Sequence, residues 1–188
     1  VFGEAHYSFT LAPTLGFDHA EATGAALPAD YELAAWAPDA LLGPAWPAIY
    51  AALGSAIHND YPVIEGLLNA VHLDHSITLE YTPEQMLERG ITMIDVTSHV
   101  AAVDESSSGR IVTVALDLKA NGEHVGSTQE RFAIRGRATG NRAPSEAAPF
   151  GGASVKVVGT PRSVLRRVSV KAPDDMTPFA IVSGDYNP

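Results

Sequence analysis

The hydrophobic period changes once along this chain, and that change limits the folds open to it. Between residues 40 and 71 apolar side chains recur at helical spacing, first as Trp46, Ile49, Tyr50, Leu53 and Ile57. The stretch is rich in alanine, and Pro47 is read as lying near the first turn, where its missing N–H does no harm. Asn59-Asp60-Tyr61-Pro62 is read as ending that helix and starting another, with Val63, Ile64, Leu67, Leu68 and Val71 as the second stripe. From Leu73 the period is two. Leu73, His75, Ile77, Leu79 and Tyr81 alternate with Asp74, Ser76, Thr78 and Glu80, the pattern of a half-buried strand.

Three further strands are expected. Thr82-Pro83-Glu84, with Met86 and Leu87, reads as a short capped helix closed at Gly90. Ile91 to Val103 is dense in β-branched residues, a strand followed by a loop at Asp104–Gly109. Arg110 to Ala120 sets Val112, Val114, Leu116 and Leu118 on one face, and Asn121-Gly122 is a strong hairpin signal before His124 to Ile134. A helical segment before an antiparallel meander of four strands predicts an α+β class, because the sheet needs one apolar face covered and the helix is at hand. That pattern is one of a hot-dog fold, a sheet curled around a long helix, and equally of a generic α+β domain.

The flanks are less regular. In residues 1–39, treated as an N-terminal extension, Tyr7 to Leu11 reads as a strand, Leu15 to Leu27 as a loop and Tyr31 to Trp36 as a second strand. Residues 136–160 crowd Gly136, Gly140, Pro144, Pro149, Gly151, Gly152 and Gly159 into a linker. Beyond it, Val164, Arg166, Val168 and Val170 alternate as a new strand, and Pro173 to Met176 leads into Phe179-Ala-Ile-Val-Ser-Gly-Asp-Tyr-Asn-Pro188. That last run places a carboxylate, Asp185, and an amide, Asn187, on a tight bend after a buried element. Read on its residues alone, it is also an ordinary surface turn closed by either side chain.

Charge and composition exclude several roles. The chain has 22 acidic and 12 basic residues, and this negative balance argues against nucleic acid and anionic membranes as partners. The charge is uneven: residues 1–109 carry −14 and residues 110–188 carry +4. With no cysteine there is neither a disulfide framework nor thiolate catalysis, which fits a cytoplasmic location. No apolar run approaches the ~18 residues of a membrane span. A start at Val1 without Met or signal-peptide pattern, and an end inside a motif, are read as those of a segment of a longer polypeptide. His72, Asp74 and His75 lack a further ligand at metal-site spacing, so no metal is assigned. His75, on the apolar face of its strand, reads as a hydrogen-bonded structural histidine.

The C-terminal run resembles the hydratase motif of the MaoC-like dehydratase/hydratase family, in which an apolar stretch precedes Ser-Gly-Asp-x-Asn-Pro, one apolar residue and a His. Asp185 matches the Asp of that family's catalytic Asp–His pair. Asn187-Pro188 matches the dipeptide after it, and the His falls two positions past Pro188. Val71-His72, a strand and Pro83 are similar to the start of the first unit in double hot-dog members. Leu41-Leu-Gly-Pro-Ala-Trp-Pro-Ala-Ile-Tyr50 and Met176–Pro188 carry a likeness to the dehydratase region of mycobacterial-type type I fatty acid synthases.

The resemblance implies a first, acyl-binding and non-catalytic hot-dog unit at 40–135, the linker at 136–160, and the start of a second, catalytic unit at 161–188. It implies removal of water from (3R)-hydroxyacyl thioesters to give trans-2-enoyl thioesters, by Asp185 with a partner His and with Asn187 in support. This segment by itself is expected to be inactive. No cofactor is implied for this step, NADPH and FMN being expected only in other domains of a parent synthase. The implied partners are an acyl carrier protein with a phosphopantetheine-linked substrate, neighbouring synthase domains and further copies in a homo-oligomeric parent. Arg162, Arg166, Arg167 and Lys171 are candidates to meet an acidic carrier protein, or form a solvated strand face. The alternatives are a free-standing (R)-specific enoyl-CoA hydratase and a non-catalytic acyl-binding or scaffolding module.

Overall fold

A computed structural model describes residues 3–23, 37–67, 70–106, 109–135, 163–169 and 171–184. Its centre is α2 (Leu42–Ser55), which follows a 3-10 turn at Pro38–Leu41. Leu42, Ala45, Ala48, Ile49, Ala52 and Leu53 are buried at intervals of three and four, so one stripe of the helix faces the core. The alanines let the helix lie close to the sheet. There the buried hydroxyl of Ser98 donates to the Ala48 carbonyl at 2.7 Å. Pro47 is the sixth residue of α2 and lies inside the helix rather than in its first turn, so the Gly43 carbonyl has no N–H from that position to accept.

The sheet has five strands in the order β1-β5-β6-β7-β4. They are β1 (Glu4–Thr10), β4 (Ala70–Leu79), β5 (Met93–Ser106), β6 (Gly109–Ala120) and β7 (Glu123–Arg135), and every pairing is antiparallel. Val96 and Val100 of β5, Val112, Val114, Leu116 and Leu118 of β6, and Phe132 and Ile134 of β7 form the inner face against α2. Asn121 and Gly122 have φ of 53° and 84°, the left-handed pair of a type I′ hairpin, as their sequence predicts. The capped helix is α3 (Pro83–Glu88). The Thr82 side chain accepts from the Gln85 amide, the Gln85 side chain accepts from the Thr82 amide, and Gly90 at φ 73° closes it.

Several expectations are corrected. The four strands do not form a simple meander: β4 pairs with β7, its far neighbour in sequence, and β1 joins the other edge through β5. The sequence 59–62 does not start a helix. Asn59 and Asp60 take φ of 49° and 65°, turning the chain between β2 (Ile57–His58) and β3 (Tyr61–Pro62). Two successive left-handed residues make a tight reversal, which Asn and Asp tolerate better than most. Residues 15–22 form α1 (Leu15–Ala22) rather than loop. Strand β5 runs to Ser106, so the expected loop at 104–109 is mostly ladder. Among residues 163–169 no strand forms: Val164, Leu165 and Val168 are exposed by 69%, 100% and 65%, and alternation without a partner ladder does not define a strand. The expected strand at 31–36 and the linker at 136–160 lie outside the described residues.

The chain comes back at α4 (Thr177–Ser183), which packs against α1 and α2; the apolar run expected to be buried there is not, since α4 has no buried residue and Ile181 is exposed. Asp175 Oδ1 accepts from the Thr177 amide at its start, and Gly184 at φ 69° ends it in the left-handed region.

Candidate functional site

Three segments meet at the N-terminal end of α2. The 3-10 turn contributes Asp39, α2 contributes Trp46, and the β4–β7 ladder contributes His72, His75, Thr128, Glu130 and Phe132. The ladder has a register shift between His72 and Asp74. His72 pairs with Phe132, Asp74 with Arg131 and His75 with Glu130, leaving Leu73 as the extra residue of a β-bulge. In an unbroken strand, residues 72 and 75 point to opposite faces. The bulge sets both imidazoles on the inner face and leaves Leu73 45% exposed.

The two rings stack at 5.7 Å and an interplanar angle of 13°. His72 Nε2 lies 2.9 Å from Glu130 Oε2, and His75 Nδ1 lies 4.0 Å from the same oxygen. The second nitrogen of His75, Nε2, is 3.3 Å from Asp39 Oδ1. Glu130 has no exposed surface, and its other oxygen accepts the Thr128 hydroxyl at 2.6 Å. A buried carboxylate is tolerated only when it is paired and hydrogen-bonded, and this one is held on both oxygens. Trp46 meets His72 edge-on at 6.0 Å and Phe132 at 5.8 Å, giving the cluster an aromatic wall.

On the other face of β4, Asp74 receives two hydrogen bonds from Arg131, through Nε at 2.6 Å and through Nη2. The fork holds the Asp74 carboxyl below the ordinary aspartate value, by direct hydrogen bonding first, and raises the guanidinium of Arg131 for the same reason. Asp74 therefore belongs to a structural ion pair and not to the histidine group with which it is adjacent in sequence.

Gly184 comes down on the same end of α2. A Cβ at that position would stand 2.9 Å from the Gly43 carbonyl oxygen and 3.1 Å from Trp46 Cδ1, so the backbone approach requires glycine twice over, for space and for φ. Ser183 and Gly184, the first polar residues of the C-terminal motif, are thus docked beside Trp46. Asp185 and Asn187 lie outside the described residues, as does Arg162. Arg166 and Arg167 are exposed, and Lys171 Nζ is 2.9 Å from Asp174.

The sequence reading missed Glu130, Thr128, Asp39 and Trp46 as site residues. One signal was available. In the alternation through Thr128, Glu130, Phe132 and Ile134, an acid occupies an inward position, where unpaired charge is rare.

No family model matches the sequence, and no curated protein matches it. Solved structures do. The chain is similar to a MaoC-like dehydratase from Phytophthora capsici (TM-score 0.60, 14% identity, 98% of this chain and 63% of that one). It is also similar to HtdX from Mycobacterium tuberculosis (TM-score 0.57, 15% identity, 98% of this chain and 64% of that one). This chain spans less than two thirds of the length of either structure. At such identities the likeness establishes the fold, an antiparallel sheet wrapped on a helix in the hot-dog manner.

Proposed function

We propose that the chain forms part of a dehydratase/hydratase interconverting (3R)-hydroxyacyl and trans-2-enoyl thioesters. The observation that carries this reading is the docking of Ser183-Gly184, which open the run Ser-Gly-Asp-Tyr-Asn-Pro188, against Gly43 and Trp46 on the central helix of a hot-dog fold. The finer reading is the dehydratase segment of a type I fatty acid synthase, in which residues 40–135 hold the acyl chain as the first unit of a double hot-dog and residues 161–188 begin the catalytic unit. Its substrate arrives on the phosphopantetheine arm of an acyl carrier protein, a partner whose acidic surface matches the excess of basic residues in 110–188.

Dehydration removes a proton from C2, breaks the C3–O bond and releases the hydroxyl with a proton as water. A positioned acid–base pair contributes about 10²–10⁴-fold to such a step. Asp185 is one member of the pair and a His after Pro188 the other, with Asn187 orienting the pair or a water. The aromatic surface of Trp46 and Phe132 supplies an apolar wall for the acyl chain.

The test follows hydration of a short trans-2-enoyl thioester by loss of its conjugated absorbance, in a polypeptide that continues past Pro188, with and without Asp185→Asn. Activity that disappears in the variant supports the reading. A folded, inactive polypeptide replaces it with an acyl-binding module, and a preference for coenzyme A over carrier-protein thioesters replaces the synthase with an enoyl-CoA hydratase.

A further inference from the structure

His72, His75 and Glu130 form a group of metal-ligating side chains whose donor atoms all lie within 4.8 Å of one another. We propose that this group is a binding site for a divalent transition-metal ion of the zinc class, with His72 Nε2, His75 Nδ1 and a Glu130 oxygen as protein ligands and a fourth position open to solvent. The proposal does not depend on the dehydratase reading and uses neither Asp185 nor Asn187.

Four features of the fold carry it. The donor set, two imidazole nitrogens and one carboxylate oxygen, is that of borderline metals, whereas calcium and magnesium favour oxygen alone. The bulge at Leu73 turns both imidazoles to one face, an arrangement that uninterrupted β-pairing forbids. Asp39 stands at Nε2 of His75, where accepting a hydrogen bond from Nε2–H leaves the lone pair on Nδ1, the nitrogen that faces Glu130. A carboxylate behind a ligating histidine fixes tautomer and ring orientation in metal sites. Thr128 performs the same service for Glu130 by holding Oε1 and leaving Oε2 towards the rings.

Glu130 also stands where a cation would offset the cost of burying a carboxylate. It has no exposed surface, and among the described residues its side-chain partners are a hydroxyl and the two imidazoles. Metal binding requires those imidazoles neutral, and the cation then supplies the compensating charge. The spacing fits with small adjustment. Tetrahedral zinc at about 2.0–2.1 Å from each ligand sets donor atoms roughly 3.3 Å apart, and the observed separations from Oε2, 2.9 and 4.0 Å, bracket that value. Access is open, since the side chains of His72 and His75 are 35% and 29% exposed. A bound ion would tie the edge strand β4 to β7 and stabilise the fold by mass action.

Titration calorimetry of the chelator-stripped chain with Zn²⁺ at pH 7.5 tests the site. The expected result is one equivalent bound, a raised thermal midpoint, and no response to Mg²⁺. His72→Gln and His75→Gln are each expected to weaken binding by more than ten-fold, and Asp39→Asn by roughly ten-fold. Because Glu130 variants risk unfolding, X-ray absorption of the zinc-loaded wild-type chain supplies a second readout, with two imidazole nitrogens and carboxylate oxygen expected at about 2.0–2.2 Å. Absence of binding overturns the proposal. So does zinc affinity that survives both histidine substitutions, or a first shell without two imidazoles.

Discussion

Gly184 and Gly43 face each other so closely that a Cβ on Gly184 would stand 2.9 Å from the Gly43 carbonyl oxygen. The contact works in both directions, because a Cβ on Gly43 would overlap the Val182 carbonyl. Two glycines thus set the distance between the central helix and the helix that delivers the C-terminal motif. Gly43→Ala is expected to displace α4 while leaving the sheet intact, since alanine inside a helix favours that helix by about 0.5–1 kcal/mol over glycine. Hydrogen exchange that accelerates in residues 177–184 and stays unchanged in β5–β7 is the predicted outcome. Unchanged protection of α4 would remove the contact from the account.

Thr128 holds the buried carboxylate of Glu130. Thr128→Val keeps the shape and removes the hydroxyl, leaving Oε1 without its donor. A loss of about 1–3 kcal/mol is expected in urea unfolding, with the midpoint lowered and the slope unchanged. For comparison, Thr82→Ala at the α3 cap is expected to lose about 1 kcal/mol.

The fork between Arg131 and Asp74 carries a pH dependence whose sign follows from the lowered carboxyl. A group held below its unfolded value binds fewer protons in the folded chain, so its contribution is fully present above the unfolded aspartate pKa of about 3.9. It is lost as pH falls through the folded value. Both side chains are more than a quarter exposed, which limits the contribution to about 1 kcal/mol. The stability difference between the wild-type chain and Asp74→Asn is expected to be constant from pH 5 upward and to shrink below about pH 4. A difference that persists undiminished at pH 2 would contradict the ion pair.

Leu53 has no exposed surface and sits at the inner stripe of α2. Leu53→Ala is expected to destabilise the chain by about 2–5 kcal/mol, the range for a cavity in a close-packed core. A loss under 1 kcal/mol would mean that the helix is not the centre of the core.

Local patterns that match their tertiary setting were legible in the sequence. Val112, Val114, Leu116 and Leu118 fall on the buried face because period-two alternation and the Asn121-Gly122 turn agree on register. Thr82 and Gln85 announce α3 because a capping box is local chemistry. Where one residue breaks a period, the reading failed. Leu73 looks apolar and inward, yet the bulge turns it out and brings His72 in. Asn59 and Asp60 stand between two apolar stripes and read as a break between helices, and only their left-handed backbone makes them a strand reversal. The pairing of β4 with β7 joins residues 58 positions apart, as in His72 and Glu130, and a single sequence carries no record of it. The run Ser183–Pro188 takes a role only from resemblance, since a turn uses the same residues.

The central claim is that Asp185 acts in adding and removing water at an acyl thioester. The most direct measurement is the rate of hydration of a short trans-2-enoyl thioester by the polypeptide continued past Pro188, compared with its Asp185→Asn variant at equal folding by circular dichroism. The account predicts hydration in the first and a loss of at least about 100-fold in the second. Equal rates in the two would contradict it, and so would a folded polypeptide with no hydration at all.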